Sequence, residues 1–234
     1  MKKNYTINAD IGEGCDDSLI MALLDWANIG CGAHAGSPEL TKQTIQLAEA
    51  NNVVVGAHPG YPDRDNFGRL SLNLTPAALH ETLFVQIQLV KRNCQHLHYV
   101  KPHGALNHDM LQNDDIFATI CRAVADNACQ HVVVPTNARQ VEQIAIAEQH
   151  QLGILWEVFA DRAYEPNGLL RARKHADAVH QDPERIVSQI QAIRNQGEIV
   201  AIDGTVLDVA YADTICIHGD NAASVQAIRQ LSQQ

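Results

Sequence analysis

The chain has 234 residues, 46% hydrophobic and 19% charged, a length that suits a single β/α barrel. Its formal net charge is -10, and no Lys/Arg cluster is dense enough to follow a phosphate backbone, so nucleic acid is not an expected partner. The apolar runs are far shorter than the roughly 20 residues of a membrane span, and the N-terminus has no leader pattern. We expect one cytoplasmic domain over residues 1–234, with no membrane partner and six reduced cysteines.

Short β-branched runs alternate with longer helical stretches, which favours parallel strands joined by right-handed crossovers. Capping residues followed by proline mark helix starts at Ser37-Pro38, Thr75-Pro76 and Asp182-Pro183. The predicted strands are Tyr5–Asp10, Ala27–Cys31, Val53–His58, His98–Lys101, His131–Val134, Gly153–Val158 and Asp213–Ile217. The predicted helices are Asp17–Trp26, Ser37–Asn51, Thr75–Cys94, Asp114–Ala128, Asn137–His150, one starting at Asp182, and Asn221–Leu231 capped by Asp220.

Two segments interrupt this alternation. Ile199–Val209 carries Asp203-Gly204 between two apolar runs, which predicts a two-residue β-hairpin turn inserted before the last strand. Residues 159–181 are polar and show no clean period, so we expect a long functional loop or a lid.

Ionisable side chains follow six of the seven predicted strands, beside glycines that allow tight turns. In a parallel barrel these strand ends meet at one rim, where active sites are built. Asp10 and Glu13 follow the first strand, and crowding of two carboxylates would raise the pKa of one and make it a proton donor or base. The alternative is that Asp10 caps a turn and Glu13 is solvated.

His34, His58 and His103 follow three separate strands, and Lys101 ends the fourth. The three histidines could share a metal ion with Asp10 as a hard ligand, or could act only through hydrogen bonds. The sequence leaves both interpretations open. Lys101 is expected to offer a cation to a carboxylate or a developing oxyanion, unless it is a surface lysine.

Asp161 and Arg162 follow the sixth strand, and His218 follows the seventh. Arg162 could pair with Asp161 or clamp a substrate carboxylate, and His218 precedes a helix whose amides favour an anion. The chain lacks a P-loop, a dinucleotide-binding GxGxxG and a GxSxG elbow. Water or a phosphorylated intermediate therefore fits better than a covalent nucleophile.

Seven motifs occur in one order along nearly the whole chain: Asn8–Gly14, Ala27–Gly36, Gly56–Asp63, Asn66–Arg69, Val100–Leu106, Glu157–Tyr164 and Ile215–Asp220. In this order they resemble the LamB/YcsF family. The resemblance implies an irregular seven-stranded β/α barrel of the glycoside hydrolase/deacetylase type. The chain departs from the family at Ala33, at Ser37, at Asn107-His108 and over 170–173, which bears on substrate preference, while the charged and histidine positions are intact.

The function implied by the resemblance is cleavage of 5-oxo-L-proline to L-glutamate, coupled to ATP hydrolysis, in a complex with two further subunits. Those partners are expected to handle ATP, because this chain has no P-loop. The expected catalytic roles are Asp10 or Glu13 as general base, His58 and His103 to orient water or protonate the leaving nitrogen, and Lys101 to stabilise negative charge. His34, Asp161, Arg162 and His218 are expected to bind the substrate, with Arg162 on its carboxylate.

Two other functions stay open at this point. One is a metal-dependent amide hydrolase or deacetylase that acts on another small amide, an interpretation that rests on fold analogy. The other is a ligand-binding subunit that presents its ligand to a partner enzyme and does no chemistry itself.

Overall fold

The computed structural model describes residues 5–232 and shows seven parallel strands closed into a barrel. The barrel strands are β1 (Thr6–Ile11), β2 (Trp26–Gly30), β3 (Val54–His58), β4 (Tyr99–Val100), β5 (His131–Pro135), β6 (Gly153–Phe159) and β9 (Thr214–His218). Two further strands, β7 (Glu198–Val200) and β8 (Val206–Asp208), form a separate two-stranded sheet. The barrel order is β1-β2-β3-β4-β5-β6-β9, and β1 pairs with β9 to close it. The predicted barrel and its seven strands are confirmed. The assignment of residues 1–234 to one domain stays a prediction, and its outermost residues, 1–4 and 233–234, lie outside the described range.

Helices cover the outside of the barrel and follow its strands. They are α1 (Ser18–Met21), α2 (Pro38–Ala50), α3 (Pro76–Lys91), α4 (Gly104–Asp109), α5 (Asp114–Asp126), α6 (Gln140–Gln149), α7 (Pro183–Gln196) and α8 (Ala222–Ser232). The side chains of Ser37, Thr75 and Asp182 accept backbone N–H groups at the starts of α2, α3 and α7.

Three predicted details of these helices are wrong, and one helix was missed. The segment predicted as Asp17–Trp26 has only one helical turn, because Trp26 already pairs with Asn8 in the barrel. The helix predicted from Asn137 begins at Gln140, because the Asn137 side chain bonds to Arg139 N–H and so forms a turn. Asn221, not Asp220, accepts an N–H at the start of α8, and α4 was not predicted.

The antiparallel hairpin of β7 and β8 precedes β9, as predicted, but its turn is longer than the sequence pattern indicates. Ala201 N–H donates to Thr205 O, so three residues, 202–204, form the connection, and Gly204 takes φ +92°. Residues 159–181 form an ordered wall rather than a free loop, since Tyr164 forms an antiparallel β-bridge with Leu170 and Arg162 forms one with Val179.

The barrel interior carries polar side chains that bond across the strands. Asn8 Nδ2 donates to Thr214 Oγ1 at 2.8 Å, and Asn28 Nδ2 donates to Asn8 Oδ1 at 2.7 Å. Tyr99 OH donates to Asn28 Oδ1 at 2.7 Å, and Gly56 leaves the space that the Tyr99 ring fills. All are buried, and this bonded layer forms the floor beneath the strand ends.

Candidate active site

Lys101 lies at the centre of the polar interior, with 2% of its surface exposed. Its Nζ lies 2.9 Å from Asp10 Oδ1 and 2.9 Å from Glu157 Oε1, and donates to Asn8 Oδ1 at 3.3 Å and Cys216 Sγ at 3.1 Å. Burial lowers the pKa of Lys101, but the Asp10 carboxylate and the neighbouring Cys216 and Glu157 raise it well above its usual value. A charged ammonium therefore lies beneath the site.

The pKa values of Asp10 and Glu13 move in opposite directions. Burial raises the pKa of Asp10, but His58 and Lys101 together lower it by more, so the pKa lies well below its ordinary value. Burial raises the pKa of Glu13. His58 lowers that pKa in part and the Asp10 charge raises it again, so the net shift is upward. Asp10 therefore stays ionised, while Glu13 is the carboxyl of the pair that takes up a proton more readily.

His58 and His103 meet edge to face, with His103 Nδ1 2.9 Å from His58 Nε2. Each ring is fixed by its other nitrogen: His58 Nδ1 donates to Lys101 O at 2.7 Å, and His103 Nε2 donates to Phe67 O at 2.9 Å. Burial lowers the pKa of His58, but Asp10 and Glu13 raise it above its ordinary value. Burial and the charge of His58 lower the pKa of His103 to about 3.

His34 stacks on His103, with ring centroids 3.9 Å apart and planes 4° apart. Its Nε2 lies 2.8 Å from Glu13 Oε1, and its buried Nδ1 has no hydrogen-bond partner, so Nε2 carries the proton and donates to Glu13. Burial and His58 lower the pKa of His34 to about 3. Glu13, His34, His58 and His103 thus offer ligand atoms within 4.8 Å of one another.

The loop after β3 places the histidines because it has left-handed backbone at two consecutive residues. Phe67 takes φ +56° and Gly68 takes φ +64°, which brings Phe67 O to His103. A Cβ on Gly68 would lie 2.8 Å from His34 Cβ and 3.0 Å from His103 Cδ2. Glycine is therefore required at residue 68 for both conformation and space.

A cavity of about 480 Å³ opens above these groups. Asp10, Glu13, His58, Lys101 and His103 line its floor, and its walls come from loops after the strands, including residues 168–173 of the 159–181 segment. Of the residues predicted to act on the substrate, these five catalytic candidates meet at one pocket. The structure thus brings together groups that are up to 93 residues apart in sequence.

The four predicted substrate-binding residues differ in their placement. His218 and Arg162 line the pocket, whereas His34 and Asp161 lie behind its wall. Asp161 accepts from His218 Nδ1 at 2.9 Å and from Ser224 Oγ at 2.9 Å, so it positions His218 instead of pairing with Arg162.

The carboxylate clamp at Arg162 stays a prediction, and two guanidinium nitrogens of Arg162 already bond within the protein. Its Nε donates to Ala178 O at 3.0 Å and its Nη2 to Arg171 O at 2.7 Å, so the guanidinium fastens the 159–181 segment. Arg69 and Arg173 are the more exposed guanidinium groups at the pocket, and Arg173 Nη2 lies 3.0 Å from His218 Nε2. Burial lowers the pKa of Arg69, and the nearby positive charge of Arg173 lowers it further.

Sequence reasoning did not single out Glu157, Asn8 or Cys216, which contact Lys101. Glu157 could have been found as a carboxylate within the otherwise apolar run of β6. Burial raises its pKa, which Lys101 lowers in part. Asn8 and Cys216 carry no signal beyond their alternation with outward-facing apolar residues.

A family model matches residues 5–234 and describes the LamB/YcsF family. The chain belongs to the LamB/YcsF family. A relative from Vibrio vulnificus, named as a 5-oxoprolinase subunit, is 40% identical over 242 residues, which cover 99% of this chain and 97% of the relative. Membership in this family and this relative support a role as a component of a 5-oxoprolinase, which is a hydrolase. No helix within residues 5–232 is long and apolar enough to cross a membrane.

Solved structures agree with the barrel assignment. The lactam utilization protein from Thermus thermophilus is 32% identical, with a TM-score of 0.89, and the match covers 100% of this chain and 97% of that one. A β-mannanase of glycoside hydrolase family 113 from Alicyclobacillus acidocaldarius matches at 10% identity with a TM-score of 0.51, covering 100% of this chain and 98% of that one. The second likeness concerns the fold alone.

Proposed function

We propose that this chain is the lactam-handling subunit of a 5-oxoprolinase, which hydrolyses 5-oxo-L-proline to L-glutamate in a reaction coupled to ATP. The observation that carries the proposal is the convergence of Asp10, Glu13 and Lys101 on one pocket. Their chemistry matches what amide hydrolysis needs, namely a proton acceptor for water and a cation for the charge that develops on the carbonyl oxygen. The name of the Vibrio vulnificus relative supplies the substrate.

In this proposal, water adds to the ring carbonyl carbon, and the carbonyl carbon–nitrogen bond then breaks. A carboxylate of the Asp10 and Glu13 pair accepts the proton of water, and that proton passes to the leaving nitrogen. His58 and His103 orient the water. Lys101 stabilises the oxyanion, since its ammonium is fixed beneath the pocket before the reaction starts.

The substrate carboxylate is assigned to Arg69 and Arg173, because the guanidinium of Arg162 is already bonded to backbone carbonyls. Arg69 and Arg173 line the same pocket, and the positive charge of Arg173 contributes to the lowered pKa of Arg69. A bound carboxylate would relieve the repulsion between these positive charges and accept hydrogen bonds from both groups.

ATP coupling is assigned to the assembled enzyme with two further subunits. A lactam resists attack by water, and transfer of the terminal phosphoryl group of ATP to its amide oxygen, with release of ADP, would make the ring carbon more electrophilic. Addition of water and cleavage of the carbon–nitrogen bond would then leave an acyl phosphate, which a second water hydrolyses to glutamate and inorganic phosphate. This chain carries no P-loop, so the partner subunits are proposed to bind ATP and to act on the lactam held here.

The experiment is release of glutamate from 5-oxoproline by the purified chain mixed with its partner subunits and ATP. Asp10→Asn should abolish release while ligand binding persists, which also excludes a purely presenting role. Asp115→Asn, exposed on the outer helix α5 and outside the lining residues, is the matched control and should keep full release. Absence of glutamate from the complete wild-type mixture refutes the substrate. Hydrolysis of acetylated sugars instead, without ATP, would establish the deacetylase alternative.

A further inference from the structure

We propose that Glu13, His58 and His103 bind one divalent metal ion of the zinc type within the lactam pocket. The metal site stands on the geometry of these three side chains. The role of the ion in preparing water for attack rests on the proposed function.

The imidazole nitrogens of His58 and His103 that face each other leave a place for a cation between them. His58 Nδ1 can bond to Lys101 O only by donating, and His103 Nε2 can bond to Phe67 O only by donating. Neutral rings therefore direct two lone pairs at each other across 2.9 Å. A cation must lie at this junction, either a proton or a metal ion. Backbone carbonyls that hold the second nitrogen of each ring are the usual outer partners of metal-binding histidines.

The distances between the three ligand atoms suit a zinc ion. A tetrahedral zinc ion with bonds of about 2.0–2.1 Å sets its ligand atoms about 3.3 Å apart. His58 Nε2 and His103 Nδ1 are 2.9 Å apart, and Glu13 Oε1 lies 3.7 Å from the first and 3.4 Å from the second. These three separations bracket the required value, so shifts of a few tenths of an ångström would suffice. The pocket side is left open for water.

His34 belongs to the same cluster but is assigned a different role. An imidazole binds a metal in its own ring plane, and the planes of His34 and His103 are parallel and stacked. An ion in the plane of His103 therefore lies far out of the plane of His34. His34 instead donates to Glu13 Oε1 and orients that carboxylate, as an outer partner does.

The composition of the cluster also suits a cation. Three carboxyl groups, those of Asp10, Glu13 and Glu157, lie within 3.7 Å of His58 or of the single ammonium of Lys101. Carboxylate oxygen and imidazole nitrogen are both ligands that zinc takes.

The ion also divides the roles of the two carboxylates. A divalent ion lowers the pKa of a bound water toward neutrality. With Glu13 committed as a ligand, Asp10 is the acceptor, since its Oδ2 lies 3.4 Å from His58 Nε2 at the edge of the site. The proton that Asp10 takes from water then passes to the nitrogen released when the ring opens.

The test uses the full chain, dialysed against a chelator and titrated with Zn²⁺ in a calorimeter. We expect one equivalent to bind to the wild type. Glu13→Gln and His103→Asn should each weaken binding by more than about 100-fold, and His34→Asn by about 10–100-fold, as an outer partner does. His80→Asn, on the outer helix α3, is the matched histidine control and should bind like the wild type.

Equal affinity of the wild type, Glu13→Gln and His103→Asn would overturn the site, since zinc would then bind elsewhere. Circular dichroism checks the fold of each variant, and the visible spectrum of Co²⁺ added to the wild type reports four-coordination without any variant. Zinc binding without glutamate release by the full mixture refutes only the proposed substrate. Full glutamate release by metal-free protein in chelator refutes only the role of the ion in preparing water, and the titration decides the site itself.

Discussion

Lys101 shows how strongly one buried charge depends on its partners. Its ammonium contacts both Asp10 and Glu157, and Glu157 is completely buried. Ion pairs of this kind add little net stability, but removal of one partner is expensive because a charge is left alone in a region without water. The structure therefore ties the Lys101 ammonium to the folding of the barrel interior.

We predict that Lys101→Met abolishes glutamate release and lowers the free energy of unfolding by about 3–5 kcal/mol. The double variant Lys101→Met with Glu157→Gln should recover part of that stability, because it removes one unpaired carboxyl, but no activity. Urea unfolding and the reconstituted assay measure the two effects. Equal stability of the single and double variants would contradict the assigned ion pair.

Asp17 gives a pH-dependent prediction away from Lys101. Burial raises the pKa of Asp17 from 3.8 to about 6, although Gly12 N–H, which donates to Oδ2 at 2.7 Å, opposes the shift. Between pH 3.8 and 6 the folded chain holds a proton that the unfolded chain has lost. Stability therefore falls as the pH rises through this window, and the ionised carboxylate remains destabilising above it.

We predict that Asp17→Asn stabilises the protein at pH 8 by about 1–2 kcal/mol, discounted for the solvent that reaches this half-buried group. The gain should shrink below pH 6 and vanish below pH 3.8. Urea unfolding at a series of pH values measures it, with the exposed Asp16→Asn as the control that shows no such gain. A gain that is the same at every pH would refute the raised pKa.

At the scale of the structural element, the loop between β3 and α3 decides whether the histidines meet. We predict that Gly68→Ala destabilises the chain by about 1–3 kcal/mol, through left-handed strain and contact with His34 and His103. A ring displaced by about 1 Å can reduce turnover by about 100-fold. Gly204 also has a positive φ, +92°, but has open space around it. Gly204→Ala should therefore lower the free energy of unfolding by about 1 kcal/mol and leave the activity unchanged. Equal turnover of the two variants would contradict this role of the loop.

The same scale explains what the sequence could reveal. Strand ends carry glycine beside Asp10, His58 and Lys101, so the rim was predictable from alternation and punctuation alone. Arg162 was expected to bind a substrate carboxylate, and no local pattern indicated that its Nε and Nη2 would donate to Ala178 O and Arg171 O, which belong to a segment without periodicity. Glu157 contacts Lys101 because side chains of β6 point alternately into the barrel. That contact forms only when the barrel closes, which no local sequence pattern encodes.

At the scale of the whole molecule, barrel closure depends on the pairing of β1 with β9, which joins the two ends of the described chain. Thr214 Oγ1 accepts from Asn8 Nδ2 at 2.8 Å and donates to Thr6 O at 3.2 Å across this seam. Asn8 Oδ1 in turn lies 3.3 Å from Lys101 Nζ. The closing seam and the Lys101 ammonium are therefore linked through one asparagine.

We predict that Thr214→Val lowers the free energy of unfolding by about 1–3 kcal/mol, because the buried Asn8 Nδ2 loses the hydroxyl acceptor of Thr214. Thr214→Ser keeps the hydroxyl and loses only a methyl group, so it should cost less and is the matched control. Hydrogen exchange should speed up at the amides of β1 and β9 in Thr214→Val alone, and turnover should fall with it as Asn8 loses its orientation toward Lys101. Identical exchange in both variants would mean that backbone pairing alone closes the barrel and that the side-chain bond across the seam is dispensable.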